Sequence, residues 1–179
     1  MLTPEGKALR ERQTARARDP EHSFGGARCM PVGLYQMSGI PGFPFKIVHS
    51  TEMFVILYEN FSTYRQIFMD GRQLPKDPNP TYRGYSVGRW DGDTLVVDTA
   101  GFHEGVLPGG RPLSEELHVT ERFRRPDFGH LEILFKFDDP KTYTKPWTFK
   151  EDEHLLPDTE LLEYVCNENE KDLKHMVGK

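Results

Sequence analysis

From Phe45 onward, apolar and polar residues alternate over much of the chain with a period of two, the spacing of strands that turn one face to a core. FKIVHS at 45–50 and MFVILYE at 53–59 predict a hairpin, and TYRQIFM at 63–69 predicts a third strand ended by Asp70 and Gly71. GYSVGRW at 84–90 and DTLVVDT at 93–99 flank Asp91 and Gly92, the strongest hairpin signal in the chain. LHVTERFRR at 117–125 and HLEILFKFD at 130–138 predict another hairpin around PDFG. WTFKEDEHLL at 147–156 and ELLEYVC at 160–166 complete about nine strands. Between them, RQLPKDPNPTYR carries three prolines, each of which removes a ladder donor, so it reads as a surface loop. The Gly- and Pro-rich HEGVLPGGRPLSEE after Phe102 reads as a long connection of the kind used for lids and binding loops.

Before the strands, Thr3 is placed as an N-cap and Pro4 as the first residue of a helix running to Arg18. Its bases Lys7, Arg10, Arg12, Arg16 and Arg18 read as a solvated face rather than a docking patch. Five glycines and four prolines between Asp19 and Pro44 predict an irregular arm. The pattern therefore divides into a helix and arm over 1–44, a single β domain over 45–166 and a loose or briefly helical tail over 167–179. The predicted fold is all-β and mainly antiparallel, an up-and-down, lipocalin-like barrel with a sandwich as the alternative. Parallel α/β folds are disfavoured because no helix-length segment separates successive strands.

Strand parity then decides which polar groups look inward. Glu121 shares a face with Leu117, Val119 and Phe123, Glu151 with Trp147 and Phe149, and Arg65 with Ile67 and Met69. Burying an unpaired carboxylate costs several kcal/mol, so Glu121 is expected to be paired, protonated or open to a wet pocket. One reading makes Glu121 or Glu151 a general acid or base with Arg65 binding an anionic or carbonyl group. The plainer reading is an internal ion pair such as Arg65 with Glu121. Asp98 and His118 are placed to meet across neighbouring strands, and His103 stands at the mouth of the long loop. Tyr58, Phe135 and Trp147 supply rings for a pocket wall.

Composition narrows the classes. Twelve Phe and seven Tyr, within 12% aromatics and 36% hydrophobics, favour strands and flat core side chains. A formal charge of -5 argues against a nucleic-acid partner. No apolar run approaches the ~18 residues of a membrane span, and the N-terminus lacks the hydrophobic stretch of a signal peptide, so the chain reads as soluble. Neither metal-ligand spacing nor a phosphate-cradling or nucleophile motif is present, and no metal or cofactor is expected. The Asp spacing of VGRWDGDTLVV fits a hairpin turn better than a calcium loop. Cys29 and Cys166 lie too far apart in sequence for a redox pair or a metal knuckle. A disulfide and two buried thiols are equally open on these grounds.

The phrases LPKDPNPTYRGYSVGRWDGDTLVVDTAGF, LHVTERFRRPDFGH, DDPKTYTKPWTF and LLEYVCNENEKDLKHMVGK resemble a large family of uncharacterised bacterial proteins, many of them exported. The resemblance covers most of the chain from Cys29 and transfers no activity. It implies a periplasmic or secreted mature form and a disulfide between Cys29 and Cys166. The chain departs from the family pattern at His103, where relatives commonly carry Asn, and at GGRPLSE (109–115), where they carry a His-containing stretch.

Three functions are carried forward. The first is a barrel-like protein whose aromatic-lined interior binds a small apolar or aromatic molecule. The second is a cofactor-independent lyase, isomerase or cyclase using Glu121, Glu151 and Arg65, and the third is an exported structural or interaction domain. A homo-oligomer is left open.

Overall fold

The computed structural model describes residues 1–18, 33, 43–107 and 110–163. Cys29, Cys166, nearly all of the expected arm and the tail lie outside the described residues, as does the expected disulfide.

Helix α1 (Pro4–Arg18) starts where the N-cap signal places it: the Thr3 hydroxyl accepts the Gly6 amide at 2.9 Å. Its first turn is tied to the loop after the ninth strand. The Thr3 amide donates to the Thr142 carbonyl, and Leu2 bridges Tyr143. Gly6 lies directly against the Thr142 backbone, where no Cβ fits, and Leu9 is buried. No helix among the described residues is long and apolar enough to cross a membrane.

The domain is a mainly antiparallel sheet curled into a half-barrel. Its strands are β1 (Phe45–His49), β2 (Met53–Tyr58), β3 (Thr63–Phe68), β4 (Tyr85–Asp91), β5 (Thr94–Ala100), β8 (His118–Asp127), β9 (His130–Asp138) and β10 (Trp147–His154), adjacent in that order. Two short strands, β6 (Gly105–Leu107) and β7 (Arg111–Leu113), form a separate hairpin within the connection expected to be a loop. Three-residue strands are too short to show a period, and Leu107 and Leu113 fold back into the core.

The β4–β5 hairpin forms as expected, displaced by one residue. Asp91 pairs with Thr94, leaving Gly92 and Asp93 as the turn, with Gly92 supplying a φ of +63° at the first central position. The strand expected over 160–166 does not begin at 160–163, which carry no ladder; the Leu162 amide donates instead to the Glu59 carboxylate at 2.9 Å.

Two features depart from a simple closed meander. β3 and β4 run parallel, joined through only two register pairs, Ile67 with Ser86 and Phe68 with Val87. The proline-rich segment 69–84 makes the required crossover, and its Thr81 bridges Phe102 beyond β5. In addition, β1 and β10 stand at opposite ends of the strand order, so the sheet curls without a β1–β10 ladder.

The curl has a local cause. The inward positions of β4 include Ser86 and Gly88, with Gly84 just before the strand, and a Cβ on Gly88 would come within 2.5 Å of Met69 Sδ and 2.9 Å of Ile67 Cγ2. The side chains of Ile67 in β3 and of Met69 just beyond it thus lie across β4 at Gly88, which has none of its own. The resulting core joins Phe54, Ile56, Ile67, Leu95, Val97, Phe102, Leu117, Val119, Phe123, Ile133, Phe135 and Phe137.

Candidate functional site

Parity placed Arg65, Glu121 and Glu151 on the inner face, and all three are found there. Arg65 is 3% exposed and Glu121 1%, and they pair in two parallel contacts, Nη1 to Oε1 at 2.8 Å and Nη2 to Oε2 at 2.5 Å. Arg65 crosses the bare inner face of β4 to do so, donating from Nε to Ser86 Oγ at 3.0 Å and from Nη2 to Thr99 Oγ1 at 2.7 Å. Tyr58 lies beside the same guanidinium and interacts with its charge. Burial pushes the Tyr58 hydroxyl up to about 12. Burial would lower the Arg65 pKa, but the Glu121 carboxylate more than offsets it and holds the guanidinium above its ordinary value. This group is a satisfied, sealed network that clasps β3 to β8 across the weak parallel junction. The contributions of Ser86 and Thr99 were not read from the sequence, since neither residue type signals a buried partner.

Glu151 lies elsewhere on the same face. Cross-strand register lays out rows over the inner surface: Glu121 beside Phe135 beside Phe149, Val119 beside Phe137 beside Trp147, and Phe123 beside Ile133 beside Glu151. The first two rows end in a ladder of nearly parallel rings. Phe137 and Trp147 are 4.3 Å apart at 5°, and Phe135 and Phe149 are 4.6 Å apart at 9°. Diagonal spacings of 5.6–6.3 Å join all four into one stack. Phe135 and Phe137 are buried, whereas Trp147 and Phe149, on the edge strand, are only partly covered. Phe135 and Trp147 were the rings expected to line a pocket wall; Phe137 and Phe149 extend it, Phe149 at a position that parity had put on the face of Glu151.

Two buried atoms beside this stack have no hydrogen-bond partner among the described residues, Trp147 Nε1 and Glu151 Oε2. An unmet buried donor or acceptor costs about 1–3 kcal/mol, so a pair of them flanking one stack is unusual. Glu151 ends a row of apolar side chains; its burial, then the charges of Glu153 and Glu121, push its carboxyl up to about 7. Glu153, next on the same face, is also raised, chiefly by burial.

The remaining predicted residues are not gathered here. Asp98 and His118 do meet, Nε2 to Oδ1 at 3.6 Å, but on the opposite face of the sheet, because both have the other strand parity. Burial would raise the Asp98 pKa; hydrogen bonds from Arg89 and Thr120 hold it below the usual carboxylate range. His103 is exposed, with its ring 5.0 Å from Tyr82. A further buried cluster went unread: the Asp139 carboxylate accepts the Ser114 hydroxyl at 2.7 Å and the Ser114 and Thr142 amides at 2.8 and 3.1 Å. Asp139 precedes a proline, a turn signal that could have found it. Among the described residues no group of three or more His, Cys, Asp or Glu could hold a metal ion.

No protein-family model matches the chain, and no curated protein or solved structure matches it.

Proposed function

We propose that the protein binds a small apolar or aromatic molecule on the inner face of its half-barrel, against the ladder of Phe135, Phe137, Trp147 and Phe149. The observation that carries this reading is the pair of unpartnered polar atoms, Trp147 Nε1 and Glu151 Oε2, bracketing partly covered rings on an edge strand. A core meant only to be filled would end in apolar side chains there, whereas binding sites combine apolar walls with a few convergent polar groups. The Arg65–Glu121 network serves as the rigid floor under that wall, and Tyr58 belongs to it.

A titration with the neutral fluorophore N-phenyl-1-naphthylamine tests the reading. Saturable enhancement and a raised melting temperature are expected for the wild type, with affinity reduced about tenfold or more in Phe149→Ala, the loss of one ring contact. Binding unchanged by Phe149→Ala would reject the ladder as the site.

The acid–base enzyme reading retains one supporting observation, a carboxyl with a pKa of about 7 beside a hydrophobic wall. It rests on Glu151 alone, since Arg65 and Glu121 are engaged with one another.

A further inference from the structure

The charges of β10 are matched on one face and unmatched on the other. On the outer face Lys150 bridges Glu132 and Asp152, each at 2.7 Å. On the inner face neither Glu151 nor Glu153 forms an ion pair among the described residues. The groups facing Glu151 are few. Leu131, Ile133 and Phe135 line β9, Glu153 lies on its own strand, and Glu121 stands beyond on β8, already neutralised by Arg65 from β3. The inner surface next to the ring stack is therefore net negative and carries no compensating cation among these groups.

Rings of this kind attract cations to their faces, and one is already present: Arg111 Cζ sits 5.1 Å from the Trp147 centroid. Further along the same strand, Glu151 has no such partner among the described residues, and Glu153 has only the charge of the neighbouring His154 acting on it. Trp147 and Glu151 are four residues apart, about 13 Å along the strand, with Phe149 between them.

We infer that the ligand is an elongated organic cation, its apolar body lying along Phe149, its positive end held by Glu151 and Glu153, and a hydrogen-bond acceptor at its other end within reach of Trp147 Nε1. The inference rests on the binding reading given above and specifies its ligand class. A cation at this point would satisfy the orphaned carboxylate oxygen and allow Glu151 to ionise. An anionic ligand would be repelled, and a neutral apolar one would leave both carboxylates uncompensated.

The test compares two probes of one shape, 4-(4-methoxystyryl)-1-methylpyridinium, a permanent cation, and 4-(4-methoxystyryl)pyridine, neutral at pH 8. Calorimetric titration of the full chain at pH 8 is expected to give at least about tenfold tighter binding of the cation. Glu151→Gln should abolish that preference while leaving the affinity for the neutral probe within about twofold. Should that variant fail to fold, the wild type supplies a second readout. Because Glu151 must lose its proton, affinity for the permanent cation should rise about tenfold between pH 6 and pH 8.

Equal binding of the two probes, a preference that survives Glu151→Gln, or a flat pH profile would overturn the cation inference while leaving the apolar site standing. Binding of neither probe would overturn both.

Discussion

The Arg65–Glu121 pair makes the sharpest stability prediction. At 2.8 Å and an effective dielectric near 20, the Coulomb attraction is about 6 kcal/mol, comparable to the several kcal/mol needed to take each ion out of water. The pair as a whole thus contributes little net stability, yet breaking it leaves an uncompensated buried guanidinium. Glu121→Leu is expected to cost about 3–5 kcal/mol. For a chain of this length, that lowers the melting temperature by about 6–20 °C.

Replacing both residues, Arg65→Met with Glu121→Leu, removes the stranded charge. Ser86 Oγ and Thr99 Oγ1 are 3.0 Å apart and can satisfy one another once the guanidinium is gone. The double variant should therefore recover most of the loss, giving a coupling energy above about 2 kcal/mol in a double-mutant cycle measured by chemical denaturation. Additive single effects would refute the claim that the two groups act as one buried unit.

Other predictions follow from neighbouring features. Gly88→Ala would press a methyl group onto Ile67 and Met69 at the fold in the sheet, and a loss of about 1–3 kcal/mol in urea denaturation is expected; a neutral result would show that the β3 side chains are not held over β4. Asp139→Ala strands the Ser114 amide and hydroxyl, while the Thr142 amide keeps the Asp139 carbonyl, and should cost about 1–3 kcal/mol, read by thermal melting. Glu151 has a raised pKa in the folded chain, so its contribution favours folding most below about 4.5 and is lost as pH rises through about 7. Glu151→Gln should accordingly stabilise the ligand-free protein by about 1 kcal/mol at pH 8, after allowance for solvent screening, and have no effect at pH 4; stabilisation at both pH values would contradict that assignment.

Much of the inner face was legible because a period of two is a local property. Arg65, Glu121 and Glu151 could be assigned inward from their immediate neighbours, and the Gly92 turn announced itself through its composition. Pairing between distant strands was not legible in the same way. The ion pair of Arg65 with Glu121 was the plainer reading of two inward charges and is found, but the strand order that permits it, β3 parallel to β4 and β8 next to β5, leaves no mark within a single strand. The β6–β7 hairpin looked like loop because its apolar residues are few, and Leu161–Leu162 looked like strand although no ladder partner meets them. Asp98 and His118 were correctly expected to meet, but adjacency did not make them part of the ring-lined face, which their parity excludes.

The chain has two tryptophans, and they give the central claim its most direct measurement. Trp90 is 57% exposed at the far end of β4, whereas Trp147 lies in the ring ladder with an unpartnered indole nitrogen. In 15N-edited NMR spectra recorded while N-phenyl-1-naphthylamine is titrated, the Trp147 indole signal and the amides of β9 and β10 should shift together and saturate, with the Trp90 indole signal nearly stationary. Saturable shifts centred on Trp90, or none at Trp147, would contradict a binding site on the inner face.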